Sequence, residues 1–157
     1  EEASGVARKN QVIENNTGIA VFGHATPTLE ENICSKNYLG IFYDHWSGGV
    51  ARKNQCLEND FGIAVGNQAK PLLEENILSN NKIGIQFTVK AGGIARNNQC
   101  TENKVGIEIK KLASPMLEGN VCSNNEIGIS IAGTANPELL DNVFENNTKM
   151  DVDDRRQ

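Results

Sequence analysis

The two histidines of this chain, His24 and His45, fall close to its single tryptophan, Trp46, with Asp44, Phe42 and Phe22 alongside. Imidazoles beside a carboxylate suit proton transfer or metal ligation, and flat aromatic rings beside polar groups suit stacking on a sugar or anchoring a peptide. His24 and His45 lie 21 residues apart, which sets them near each other but out of line by one position. These six residues, Phe22, His24, Phe42, Asp44, His45 and Trp46, are the candidate ligand-binding set, without an assigned metal or catalytic role.

The other groups that could do chemistry are scattered. Glycoside hydrolysis needs two carboxylates facing one cleft at about 5–10 Å. Asp44 and Glu108 occupy related positions three repeats apart, about 14 Å at the spacing of stacked strands. A calcium-assisted lyase site would need clustered acids beside an Arg base, and the sequence offers no such cluster. The four cysteines, Cys34, Cys56, Cys100 and Cys122, share their repeat position with Val12, Leu78 and Phe144. A position open to Cys, Val, Leu and Phe is an apolar core position, so the expectation is four free buried thiols. Neighbours about 4.8 Å apart on one ladder are badly spaced for a disulfide, and one ladder cannot surround zinc tetrahedrally. No cofactor is expected.

The elements that position these residues follow from a fixed interval. Asn10, Asn32, Asn54, Asn76, Asn98, Asn120 and Asn142 are each 22 residues apart, and Asn15 through Asn147 keep the same step. Six of the seven repeats carry Gly-Ile three residues after the second Asn, from Gly18-Ile19 to Gly128-Ile129. A period of this size marks stacked units that bury a core only against their neighbours. Apolar residues recur at the third repeat position (Ala7, Leu29, Ala51, Leu73, Ala95, Leu117, Leu139), at the cysteine position, at the Ile after Gly, and two residues beyond it. Gly-Ile-x-apolar alternates with period 2, as a strand with one buried face does. The fold expected is all-β, a right-handed parallel β-helix of about seven 22-residue coils, a rod about 33 Å long.

Within that frame the two Asn series are expected at corners, tolerating left-handed backbone and bonding one another up the stack as a structural ladder. Gly18 through Gly128 should mark positive-φ or crowded sites. A 44-residue period overlies the shorter one, giving Arg8, Glu30, Arg52, Glu74, Arg96 and Glu118 at one position. Opposite charges in register stabilise the stack, and like charges would not. The repeat domain is expected over 1–149. The polar segment 150–157, where Met150 and Asp151 replace Gly-Ile, reads as a frayed tail or linker.

The pattern Pro-x-Leu-x-x-Asn-x-Ile-x-x-Asn-x-x-Gly-Ile-x-apolar resembles the right-handed parallel β-helix repeat of the carbohydrate-binding and sugar-hydrolase superfamily. That group includes pectate lyase-like enzymes, periplasmic copper-enzyme maturation proteins and the β-helix repeats of some F-box proteins. The resemblance covers about residues 5–149 and rests on scaffold residues, so it implies the fold and leaves function open. Its enzymes act on the outer face of the Gly-Ile strand, here Ala20, Phe42, Ala64, Gln86, Glu108 and Ser130, then Phe22, Asp44, Gly66, Thr88, Lys110 and Ala132. They usually interrupt their coils with long loops.

The unbroken step therefore favours a non-enzymatic scaffold or binding module for a protein or polysaccharide. The alternative is a fragment of a carbohydrate-active enzyme. A net charge of −5 over 157 residues argues against a nucleic-acid partner, and no apolar run is long enough to span a bilayer. The chain starts inside a repeat, as a processed or excised segment would, so end-to-end association or flanking domains are expected there. Localisation is not legible: free thiols favour a reducing compartment, whereas members of the resembled group are often secreted or periplasmic.

Overall fold

A computed structural model describes residues 2–156. Twenty-one strands, numbered in chain order, lie three to a coil, and no helix occurs among the described residues. The first coil holds β1 (Val6–Arg8), β2 (Gln11–Ile13) and β3 (Thr17–Val21); the last holds β19 (Glu138–Leu140), β20 (Val143–Glu145) and β21 (Met150–Arg156). Like strands of successive coils pair in parallel, which builds three seven-stranded sheets running the length of the stack. The register is the 22-residue step itself, as in Leu73↔Ala95, Cys34↔Cys56 and Ile85↔Ile107. The chain is a β-solenoid of about seven turns, as the period predicts.

The core is made of ladders of identical repeat position. Leu29, Ala51, Leu73, Ala95 and Leu117 alternate large and small on the first sheet, all but sealed from solvent. Cys34, Cys56, Leu78, Cys100 and Cys122 line the second, and Ile41 to Ile129 with Tyr43, Val65, Phe87, Ile109 and Ile131 line the third. A further ladder of Ala69, Ala91, Ala113 and Ala135 closes the corner after the third sheet, with Ser47 in the same position.

The corners differ from the expectation in one respect. The ladder asparagines are not left-handed. The residue before each one is: Lys9, Glu31, Lys53 and Glu75 in the first series, and Glu14, Lys36 and Glu58 in the second. An Asn that bridges coils must turn its amide into the stack, so the positive φ passes to a neighbour whose side chain stands in solvent. The Gly18-to-Gly128 series has ordinary φ, so crowding alone selects it. A Cβ on Gly62 would lie 2.6 Å from the Gly84 carbonyl oxygen.

The polar segment 150–156 also departs from the tail expected there. It forms β21 and pairs with β18 (Ile127–Gly133), but with a step of 23: Ile127↔Met150 and Ile129↔Val152. One inserted residue moves Asp151 opposite Gly128 and returns Val152 to the Ile ladder. Asp154 then falls at the Ile131 position, at the open end of the stack, held by Arg156 at 2.7 Å. At the opposite end the first coil leaves Val6 and Ile13 exposed.

Candidate functional site

The surface cluster is set by one turn. After β6 (Leu39–Tyr43) the chain reverses through His45 and Trp46, both at positive φ (50° and 61°), and the Ser47 N–H closes the turn on the Asp44 carbonyl at 3.3 Å. The same two-residue left-handed turn recurs at Asn67-Gln68, Val89-Lys90 and Lys111-Leu112. Its geometry therefore belongs to the coil; only the side chains are peculiar to this one.

Those side chains interlock across two coils. His24 is in line with Trp46, 22 residues on, and their rings stack at 6.0 Å with planes 19° apart. His45 meets the same indole at 6.2 Å on a steep angle. Phe22 and Phe42 pack edge to face at 5.6 Å. The structure thus joins His24 to Trp46 rather than to His45, which the 21-residue spacing foreshadows.

Asp44 is the unusual member. Its side chain is only 7% exposed, and one carboxylate oxygen, Oδ2, lies 2.7 Å from His45 Nδ1. The other, Oδ1, is buried with no hydrogen-bond partner among the described residues. Gly66 occupies this position one coil on, where a Cβ would come within 3.2 Å of that oxygen. Thr88 follows, and its hydroxyl is likewise buried and unpartnered. Two buried, unpartnered polar groups thus flank Gly66 beside the aromatic patch.

The rest of the expected groove face is quieter. Ala64, Gly66, Gln86 and Ser130 are buried by their neighbours. Glu108 accepts from Gln86 at 2.6 Å and pairs with Lys110 at 2.9 Å. Asp44 and Glu108 lie three coils apart, Asp44 beside His45 of its own coil and Glu108 beside Lys110 of its own coil and Gln86 of the coil before it. Among the described residues no three His, Cys, Asp or Glu side chains come together as a metal site.

A second polar group lies in the interior. Cys34 stands in register with Cys56 and Cys100 with Cys122, and all four are free and fully buried. Side-chain hydrogen bonding between the two members of the first pair holds the Cys34 thiol below its usual range and, with burial, the Cys56 thiol well above it. Cys100, hydrogen-bonded to Cys122 and fully buried, is also pushed well up. Tyr43 belongs to the Val–Phe–Ile ladder, yet its hydroxyl is buried without a partner among the described residues. Burial and the nearby Cys56 sulfur push that phenol up.

The repeat pattern gave no sign of Tyr43, Ser47 and Thr88 as buried polar groups. Tyr in a Val–Phe–Ile ladder and Ser in an Ala ladder are the signals, visible only once the ladders are known to be sealed. No curated protein and no solved structure matches this chain. The model of the family described as periplasmic copper-binding protein (NosD) matches residues 1–157, and the chain belongs to that family.

Proposed function

We propose that this chain is a non-catalytic β-helix module that offers its flank, centred on Trp46, to a protein or polysaccharide partner. The observation that carries this reading is the unbroken stack: all corners but the one-residue insertion before β21 keep the 22-residue step. Among the described residues no long loop rises to wall a cleft. Trp46, 55% exposed, and Phe22, 52% exposed, stand beside the buried Asp44 carboxylate, the mixture of flat apolar face and fixed acceptor that sugar rings and peptide anchors use.

The competing reading, a piece of a carbohydrate-active enzyme, requires paired carboxylates at about 5–10 Å. Asp44 bonded to His45 and Glu108 bonded to Gln86 and Lys110 do not supply that pair. Family membership supports a role around copper in the periplasm. The surface histidines fit a closed copper site poorly, since one stacks on Trp46 and the other uses Nδ1 on Asp44. The buried thiols fit in chemical kind, because thiolate is the soft donor that selects Cu(I). Sealed thiols are also shielded from oxidants, so they sit as well in the periplasm as in a reducing compartment.

A glycan array probed with wild type and Trp46→Ala tests the surface reading. Retention of specific polysaccharides by wild type, lost in the variant, supports it. Equal retention by both moves the binding face elsewhere.

A further inference from the structure

We infer that Cys34, Cys56 and the Tyr43 hydroxyl form an interior site for one soft monovalent cation, held between the two sulfurs. The copper-handling reading supplies the identity of the ion, Cu(I); the site itself stands on the geometry.

Cys34 on β5 (Ile33–Ser35) and Cys56 on β8 (Gln55–Leu57) are direct register partners, both turned inward and fully buried. Stacked strands lie about 4.8 Å apart. Two metal–thiolate bonds of about 2.3 Å end to end span about 4.6 Å. The ladder that spaces two cysteines poorly for a disulfide therefore spaces them well for a linear sulfur–metal–sulfur unit.

Tyr43 is the one hydroxyl in an apolar stretch of its ladder: its neighbours are Val21 and Val65, and Phe87, Ile109 and Ile131 follow. A buried phenol without an acceptor is destabilising relative to a satisfied one. Binding of the cation displaces both thiol protons to solvent and leaves the bis-thiolate unit with one net negative charge. A phenol O–H beside Cys56 is the donor such a charge requires in an apolar interior. The second pair lacks this: the corresponding rungs beside Cys100 and Cys122 are Ile109 and Ile131.

Access is from the N-terminal end, where the rung over Cys34 is the half-buried Val12. Beyond it an open cavity of about 470 Å³ is lined by Ala7, Ile19, Val21 and Leu29 among others. Fraying of one coil brings an ion to Cys34.

The test is anaerobic Cu(I) titration of the folded chain against a coloured chelator, with the thiolate-to-copper absorption read in parallel. Valine is native to this ladder at position 12 and phenylalanine to the Tyr43 ladder at position 87, so Cys34→Val/Cys56→Val and Tyr43→Phe should fold. The expected result is tight uptake of a single ion by wild type and by Cys100→Val/Cys122→Val. It is lost in Cys34→Val/Cys56→Val and weakened about tenfold or more in Tyr43→Phe, the worth of a hydrogen bond to a charge. Uptake unchanged in Cys34→Val/Cys56→Val but lost in His24→Ala/His45→Ala overturns the thiol site while the copper reading stands. No uptake by folded wild type overturns both, and leaves the Trp46 surface to its own test.

Discussion

Asn76 Oδ1 accepts two hydrogen bonds from Asn54, one from its backbone N–H and one from its side-chain amide, each 3.0 Å long. Asn76 in turn donates both of its N–H groups to Asn98 Oδ1, at 3.0 and 2.9 Å, and its side chain also caps the Ala51 carbonyl at 2.8 Å. Every interior rung of this ladder repeats the arrangement. The asparagines are thus the corner joints of the solenoid, and the backbone groups that a turn would orphan are satisfied through them.

Replacing Asn76 with leucine strands the Ala51 carbonyl, the Asn54 donors and one partner of Asn98 together. Each buried group left unsatisfied costs about 1–3 kcal/mol, so the expected loss is about 3 kcal/mol or more, above that of a single corner bond. Asn10→Leu, at the exposed first coil, should lose markedly less. Urea midpoints of the two variants check this; equal losses would show that the ladder does not carry the corner.

Gly62→Ala places a methyl carbon 2.6 Å from a backbone oxygen of the next coil, and no flexible side chain is there to yield. We expect a loss of about 1–3 kcal/mol, the usual range for overpacking. Gly48→Ala meets its nearest neighbour, the Lys70 oxygen, at 3.5 Å, an ordinary contact. That substitution should be neutral or stabilise by up to about 1 kcal/mol through the unfolded chain. Thermal melts of both variants make the comparison.

The alternating charges predict a salt-dependent defect. Arg96 holds Glu74 through two nitrogens at 3.1 and 2.8 Å, and Glu74 is also in register with Arg52. Glu74→Arg sets three arginines in a row and should cost about 1–2 kcal/mol at low salt, from a lost pair plus repulsion. Raising the ionic strength should recover much of it. A defect indifferent to salt would point to packing instead.

Stability should fall on the alkaline side. Cys56, Cys100 and Tyr43 are all held above their ordinary values, so folding keeps them protonated while the unfolded chain ionises. A raised group lends stability below its unfolded value and loses it as pH climbs, for thiols from about pH 8.5. Cys34, held low, works in the opposite sense: its contribution is complete above the ordinary thiol range and is lost as pH falls, so it adds no slope on the alkaline side. Cys100→Val should make the decline above that point shallower. Denaturation curves between neutral pH and pH 10 will show whether the slope changes.

The sequence made the architecture legible because every ladder is a column of one repeat position, and columns survive in a one-dimensional text. It misplaced the left-handed residues, since Asn prefers that backbone in isolation and only the bridging bonds move it to Lys9 or Glu31. The last strand was hidden because a strict 22-residue step puts Met150 over Gly128, whereas one extra residue puts Val152 over Ile129. The site was half legible. Trp46, His24 and Asp44 stand out by rarity, but the orphaned oxygens of Asp44, Thr88 and Tyr43 depend on what covers them, and sequence spacing carries no information about that.

The central claim is that this solenoid binds without turnover. Its most direct test is product analysis of plant and bacterial polysaccharides after prolonged incubation with the wild-type chain. The account predicts that they return intact, with no new reducing ends and no unsaturated sugars, whether or not they were retained. Release of oligosaccharides that Asp44→Asn or Glu108→Gln abolishes would contradict it.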